Sequence, residues 1–218
     1  MTNKVILFDI DYTLFDTTKF KKLVAEEIAS VIQFPGKNFY ELLEEVYYKA
    51  RFDNHFEPSL FSASLQEKVK KAVYDERMQS IWFDQKLMKK ALYPEVQHVL
   101  QQLQTLQIPC GIFSTGNTEF QLAKISSLDD TLQKSHIHIF SNKEKNIAEL
   151  LQEYHNYSVF LIDDYLSILE KTKKSHPNIT TVWMKRGKFA ENVSFPTVFI
   201  PDATILNLEE LLPLVDKQ

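Results

Sequence analysis

The chain has 218 residues, 44% hydrophobic and 25% charged, a composition that fits a folded globular protein and leaves little room for disorder. Its formal net charge of −4 and pI near 5.9 supply no basic field of the kind that draws a protein to nucleic acid or an anionic membrane, so neither is expected as a partner. A single cysteine, Cys110, excludes an intrachain disulfide and a cysteine-ligated zinc site.

Taken from the N-terminus, the first residues lack the basic and apolar regions of a signal peptide, and no apolar run is long enough to span a bilayer. A cytoplasmic enzyme or binding protein is the expectation. Val5 to Phe8 is continuously apolar, which predicts a parallel strand covered on both faces. Three carboxylates follow within eight residues, Asp9, Asp11 and Asp16. Ligands of an open α/β sheet bind beyond the carboxyl ends of its strands, where Asp9 and Asp11 fall. At i, i+2 in an extended segment both can point to one side, where each would raise the pKa of the other unless a cation neutralised them. Mg²⁺ suits such a site, because it prefers oxygen ligands and completes its shell with water and phosphate. The plainer alternative makes all three loop residues, with Asp16 capping a helix that begins near Lys19, and for Asp16 that role is preferred.

From Thr17 to Ala91 the chain carries apolar residues at helical spacing and no clear strand. Phe20, Leu23, Val24, Ile28, Val31 and Ile32 define one helix, and further patterns run from Phe39 to Phe52 and from Leu65 to Phe83. This interval is expected to be an all-helical insertion, with "RFDNHFEPSLFSAS" as its loop. After Pro94, Val96, Val99, Leu100, Leu103 and Leu106 predict a helix. Strand candidates then recur at Cys110 to Phe113, Val159 to Ile162, Thr180 to Met184 and Val198 to Ile200, with a helix through Ile147, Leu150 and Leu151. Cys110 reads as a small buried hydrophobe. His136 and His138 alternate in "SHIHIF" as the outward face of a strand. Strands alternating with helices predict an α/β fold, a doubly wound parallel sheet formed by residues 1–16 and 92–218, with the helical insertion 17–91 as a cap.

At four places these residues resemble the haloacid dehalogenase-like (HAD) superfamily. "VILFDIDYTLFDT" resembles its first motif, a hydrophobic strand followed by D-x-D-x-[TV]. "GIFSTGN", with Ser114 at the strand end, resembles the second. "SNKEKNIAELL" resembles the third, with Lys143 or Lys145 as its lysine and Lys143 slightly preferred. "VFLIDDYL", with Asp163 and Asp164, resembles the fourth. The order matches, the resemblance covers nearly the whole chain, and the insertion sits where the family places a C1-type cap.

The resemblance implies that Asp9 is the nucleophile of an aspartyl-phosphate pathway and Asp11 its general acid and base. It implies that Ser114, Thr115, Gly116 and Lys143 hold the phosphoryl group, and that Asp9, Asp11, Asp163 and Asp164 bind Mg²⁺. Asp164 ranks ahead of Asp163, and the competing role for the pair is to cap a helix near Leu166. An acid at position 11 points to phosphate esters and away from haloacids. The expected protein is therefore a Mg²⁺-dependent phosphohydrolase of a small phosphorylated metabolite. A phosphomutase and a non-catalytic phospho-ligand-binding member are the alternatives.

Overall fold

Val5, Ile6, Leu7 and Phe8 are fully buried in the first strand, β1 (Asn3–Phe8), as a strand covered on both faces requires. The computed structural model describes residues 3–34, 38–53, 55–70, 74–126, 128, 131–191 and 199–216. After β1 come α1 (Thr17–Val31), α2 (Phe39–Lys49), a hairpin of β2 (Arg51–Phe52) and β3 (His55–Phe56), α3 (Pro58–Val69), α4 (Asp75–Trp82) and α5 (Gln85–Ala91). Helix α6 (Val96–Thr105) leads into β4 (Cys110–Thr115), α7 (Thr118–Ile125), β5 (Ile137–Phe140), α8 (Lys143–Glu153) and β6 (Tyr157–Asp163). The order ends with α9 (Leu166–Ser175), β7 (Thr180–Met184), α10 (Lys188–Glu191), β8 (Ala203–Ile205) and α11 (Leu212–Asp216).

Six strands form one parallel sheet in the order β5-β4-β1-β6-β7-β8. Val5 and Leu7 face one side, packed with Phe113, Val159 and Leu161 against Ile147, Leu150 and Leu151 of α8 and Ile168 and Leu169 of α9. Ile6 and Phe8 alternate to the other side, where α6 packs on β4 and on α11. The result is a doubly wound, Rossmann-like α/β core. Phe8 stands opposite Ile112 of β4 and Ile162 of β6, so the residue after it emerges between the carboxyl ends of two neighbours. This is the switch point at which such sheets place their ligands.

Backbone contacts divide the chain into two units. One comprises the chain up to Asp16, Leu92–Thr115 and everything from Leu128; the other comprises Thr17–Ala91 and Gly116–Ser127. The second unit is built on rings. Trp82, fully buried, has Phe56 at 4.5 Å, Phe61 at 5.0 Å, Phe20 at 5.9 Å and Phe120 at 6.1 Å between centroids. Phe120, on α7, explains why that helix groups with the insertion. Lys21 is buried beside these rings, paired with Glu44 and 5.0 Å from the centroid of Tyr47.

Three expectations are corrected. The insertion is not wholly helical, because the expected loop folds into the β2–β3 hairpin and then into α3, where Pro58 occupies the first turn and Glu57 accepts from the Ser59 N–H. The pattern from Leu65 to Phe83 breaks at Lys70, whose left-handed φ of 51° ends α3; residues 71–73 lie outside the described set. The last strand is Ala203–Ile205 instead of Val198 to Ile200, where Val198 is outside the described residues and Phe199 and Ile200 are in no strand. Apolar runs at chain turns mimic strands when pairing partners are not visible in the sequence. Of the two histidines expected on the outward face of a strand, only His138 lies in β5, His136 ends the turn before it, and both are half-buried, with Nε2 of His138 and Nδ1 of His136 2.7 and 3.0 Å from the Tyr154 hydroxyl.

Candidate active site

Asp9 stands one residue past β1, its N–H donating to the Ile162 carbonyl at 2.9 Å, which continues the β1–β6 pairing and fixes its direction. Ser114 lies near the end of β4 and Asp163 ends β6, and both are buried. Lys143 opens α8, where Asn142 caps the helix by accepting from the Lys145 N–H. The Lys143 ammonium donates to Asp9 Oδ1 and to Asp163 Oδ2, each at 2.6 Å. Ser114 Oγ donates to the same Asp9 oxygen at 3.0 Å. Thr115 Oγ1 accepts from the Lys143 N–H at 3.2 Å, tying the end of β4 to the start of α8.

The carboxylates of Asp9, Asp163 and Asp164 converge, each offering an oxygen within 4.8 Å of the others, and all three are buried. Asp163 is held by Lys143 and by the Tyr165 N–H, which donates to its Oδ1 at 2.9 Å. Asp164 is held through its backbone, whose carbonyl accepts from Trp183 Nε1 at 3.0 Å. Its Oδ2 is buried with no hydrogen-bond partner among the described residues. A carboxylate oxygen so placed is expensive unless something positive meets it. A hard divalent cation fits this all-oxygen donor set.

Burial pushes Asp163 up to about 6, aided by the Asp9 charge and opposed by Lys143. Burial also drives Asp164 well above the ordinary carboxylate range, with repulsion from Asp9 and Asp163 added to it. Burial works against the charge of Lys143, yet Asp163 and Asp9 more than offset it and hold the ammonium above its usual range. Cys110 is buried and inert, its thiol pushed up to about 12 by desolvation.

The structure thus brings Asp9, Ser114, Thr115, Lys143, Asp163 and Asp164 together and separates others. Lys145 is exposed on α8, since residues two apart on a helix point about 200° apart. Asp11 is half-buried and stands outside the converging set, although its charge still raises Asp164. The reason is local. The chain leaves the extended conformation after Ile10, whose carbonyl accepts from both the Leu14 and Phe15 N–H groups, and Tyr12 takes a left-handed φ of 58°. Two acids at i, i+2 share a side only while the strand continues. Gly116 begins the segment that groups with the second unit; with φ at 148°, a conformation that favours glycine, a Cβ there would meet the Gln121 side chain at 3.1 Å. Asp16 directly precedes α1. Trp183 could not be placed at the site from sequence, because an indole on a half-buried strand position carries no signal of the carbonyl it serves.

The same arrangement of elements recurs in known proteins. The sequence profile of the haloacid dehalogenase-like hydrolases matches residues 3–186. No curated protein matches the chain. A haloacid dehalogenase-like hydrolase of Burkholderia xenovorans LB400 is similar in structure, with a TM-score of 0.75 at 22% identity over 100% of this chain and 98% of that one. The HAD-hydrolase YfnB from Bacillus subtilis, bound to magnesium, has a TM-score of 0.65 at 17% identity over 99% and 100%. The L-2-haloacid dehalogenase of Xanthobacter autotrophicus with chloropropionic acid covalently bound has a TM-score of 0.60 at 16% identity over 98% of each chain. At such identities the structural likeness is one of fold.

Proposed function

Because the chain belongs to the haloacid dehalogenase-like hydrolases, we propose that it is a magnesium-dependent phosphohydrolase that cleaves a phosphate monoester of a small metabolite through an aspartyl phosphate on Asp9. The observation that carries the reading is the charge balance of the site. Three buried carboxylates converge, the Lys143 ammonium pairs with two of them, and an oxygen of Asp164 has no donor among the described residues. Attack by Asp9 on a haloacid would need neither the second pair of acids nor a cation, whereas a phosphoryl group and a divalent ion complement both.

In this scheme Asp9 attacks phosphorus and the bond to the ester oxygen breaks, with Asp11 giving that oxygen a proton. Asp11 then takes a proton from water as the water oxygen attacks phosphorus, and the bond to Asp9 breaks to release inorganic phosphate. Ser114 and Lys143 donate to the equatorial oxygens, with Thr115 and Gly116 as the adjoining segment of the phosphate site. Magnesium bound by Asp9, Asp163 and Asp164 would neutralise charge on the transferring group.

Dehalogenation is the second reading, favoured by the chloropropionic acid bound covalently in the Xanthobacter neighbour. One experiment separates the two. The protein is incubated with Mg²⁺ and a panel of phosphorylated sugars, nucleotides, amino acids and cofactors, and separately with 2-chloropropionic acid. Phosphate release is expected. Chloride release without phosphate would replace the reading, and an isomer without free phosphate would make the protein a phosphomutase.

A further inference from the structure

Arg186 follows β7 and belongs to none of the four motifs, yet its guanidinium addresses two backbone carbonyls, a buried carboxylate and a ring at once. Its Nε donates to the Tyr12 carbonyl at 3.2 Å and its Nη2 to the Thr13 carbonyl. Its Nη1 donates to the carboxylate of buried Glu95, and its Cζ lies 3.5 Å from the centroid of the Tyr93 ring. Both charged partners are nearly enclosed, with 12% of the Arg186 side chain and 7% of Glu95 exposed.

The two carbonyls are the next ones along the chain after Asp11. They belong to a turn that has reason to relax: Tyr12 holds a positive φ, which a bulky L-residue keeps only where its surroundings over-determine it. The surroundings here include the Tyr12 N–H donating to the Phe15 carbonyl at 2.7 Å, Arg186, and the neighbour of Arg186. Gly187 approaches so closely that a Cβ would stand 2.4 Å from the Tyr12 ring, and its own φ is 73°. The far end of the turn is tied down too, by the Tyr93 N–H donating to the Leu14 carbonyl at 3.2 Å and by the bridge between Phe15 and Leu92. A planar fork is suited to this task, because it holds two carbonyls and a carboxylate together, which an ammonium cannot do in fixed geometry.

We propose that Arg186 is a positioning residue for Asp11, pinning the carbonyls of residues 12 and 13 so that the Asp11 carboxylate is aimed at the leaving-group oxygen. The inference rests on the phosphohydrolase reading for the role of Asp11, and adds to it a residue that touches neither substrate nor metal.

The test compares Arg186→Met and Arg186→Lys with the unaltered protein in two ways. Amide hydrogen exchange in peptides covering residues 9–16 should speed up about tenfold or more in Arg186→Met, with the sheet unchanged. Unchanged protection there would overturn the proposal. Turnover is then measured on p-nitrophenyl phosphate, whose leaving group needs little protonation, and on an alkyl phosphate, whose leaving group needs a proton. Misaiming Asp11 should cost the alkyl ester about tenfold more in kcat/KM than the aryl ester, within the range that general acids contribute. Arg186→Lys should fall between, and it keeps the test available if Arg186→Met does not fold. Equal losses on both esters would reduce Arg186 to a fold-stabilising role and sink the proposal. If the unaltered protein cleaves neither ester, the phosphohydrolase reading fails, and the exchange result alone decides whether Arg186 fixes the backbone that carries Asp11.

Discussion

Both units of this chain bury apolar side chains, and they differ in the charge buried among them. The unit built on the parallel sheet carries charge inside it: Asp9, Asp163, Asp164 and Lys143 are all buried at strand ends and a helix start. The other unit centres on Trp82 among Phe20, Phe56, Phe61 and Phe120, and of its buried lysines Lys21 is paired with Glu44 and Lys124 lies 4.9 Å from the centroid of the Phe120 ring. Buried charge that is incompletely matched destabilises a fold unless a ligand meets it, whereas packed rings stabilise without any. The first unit therefore has the buried charge that a ligand could offset, and the centre of the second is packing between rings.

Substitutions can break that contrast. The largest effect is expected of Asp9→Asn, which keeps the shape and removes the proposed nucleophile. Phosphate release from an aryl ester should fall on the order of 10³-fold or more, with circular dichroism unchanged. A folded variant with substantial activity would remove Asp9 from the chemistry. Lys143→Met should lose activity about 10²-fold or more and destabilise by about 3–5 kcal/mol, because it strands two buried carboxylates. Lys145→Met should stay within about twofold on the same assay, and comparable losses from both lysines would contradict the separation described above.

In the ring-centred unit, Trp82→Ala should cost about 3–5 kcal/mol in urea denaturation. A loss of less than about 1 kcal/mol would show that the ring cluster does not carry the unit.

A smaller effect sharpens the same contrast through pH. Burial pushes Asp163 in the folded protein from about 3.8 up to about 6, and raises Asp164 as well. Between those values the folded, metal-free protein binds more protons than the unfolded chain, so stability linked to these acids declines as pH rises through the window. Magnesium favours the ionised forms, so its stabilisation should grow across the same interval. Differential scanning calorimetry should find a Tm increase on adding Mg²⁺ that is small near pH 4, reaches a few degrees by pH 7 and is abolished by EDTA. A shift of equal size at both ends would detach the cation from these carboxylates.

What the sequence disclosed follows the same division. Strand ends were legible because Val5 to Phe8 and Val159 to Ile162 are continuous apolar runs that stop at acids, and the choice between Lys143 and Lys145 needed only the phase of α8. The position of Asp11 was not legible, since nothing in D-x-D says whether the chain remains extended, and the turn that removes it from the three converging acids is closed by hydrogen bonds to the Ile10 carbonyl and by a distant Arg186. In the insertion, periodicity located helices but passed over the β2–β3 hairpin, two residues per strand being too few to show a period. The grouping of α7 with that unit rests on Phe120, whose spacing is as compatible with one packing partner as with another.

The chain's two tryptophans fall one in each unit, and their indoles differ. Trp82 is fully buried, its Nε1–H without a hydrogen-bond partner among the described residues, while Trp183 is half-buried and donates to the backbone of Asp164. The excited indole is a far stronger dipole than the ground state, so emission shifts to the red where polar groups can reorient and stays blue where none can. The protein thus carries two optical reporters of different colour, one inside the ring cluster and one wired to an acid pair. In a Trp82→Phe background, all remaining tryptophan light would originate beside Asp164, and titrating in magnesium would read the state of those carboxylates directly, without substrate, label or turnover.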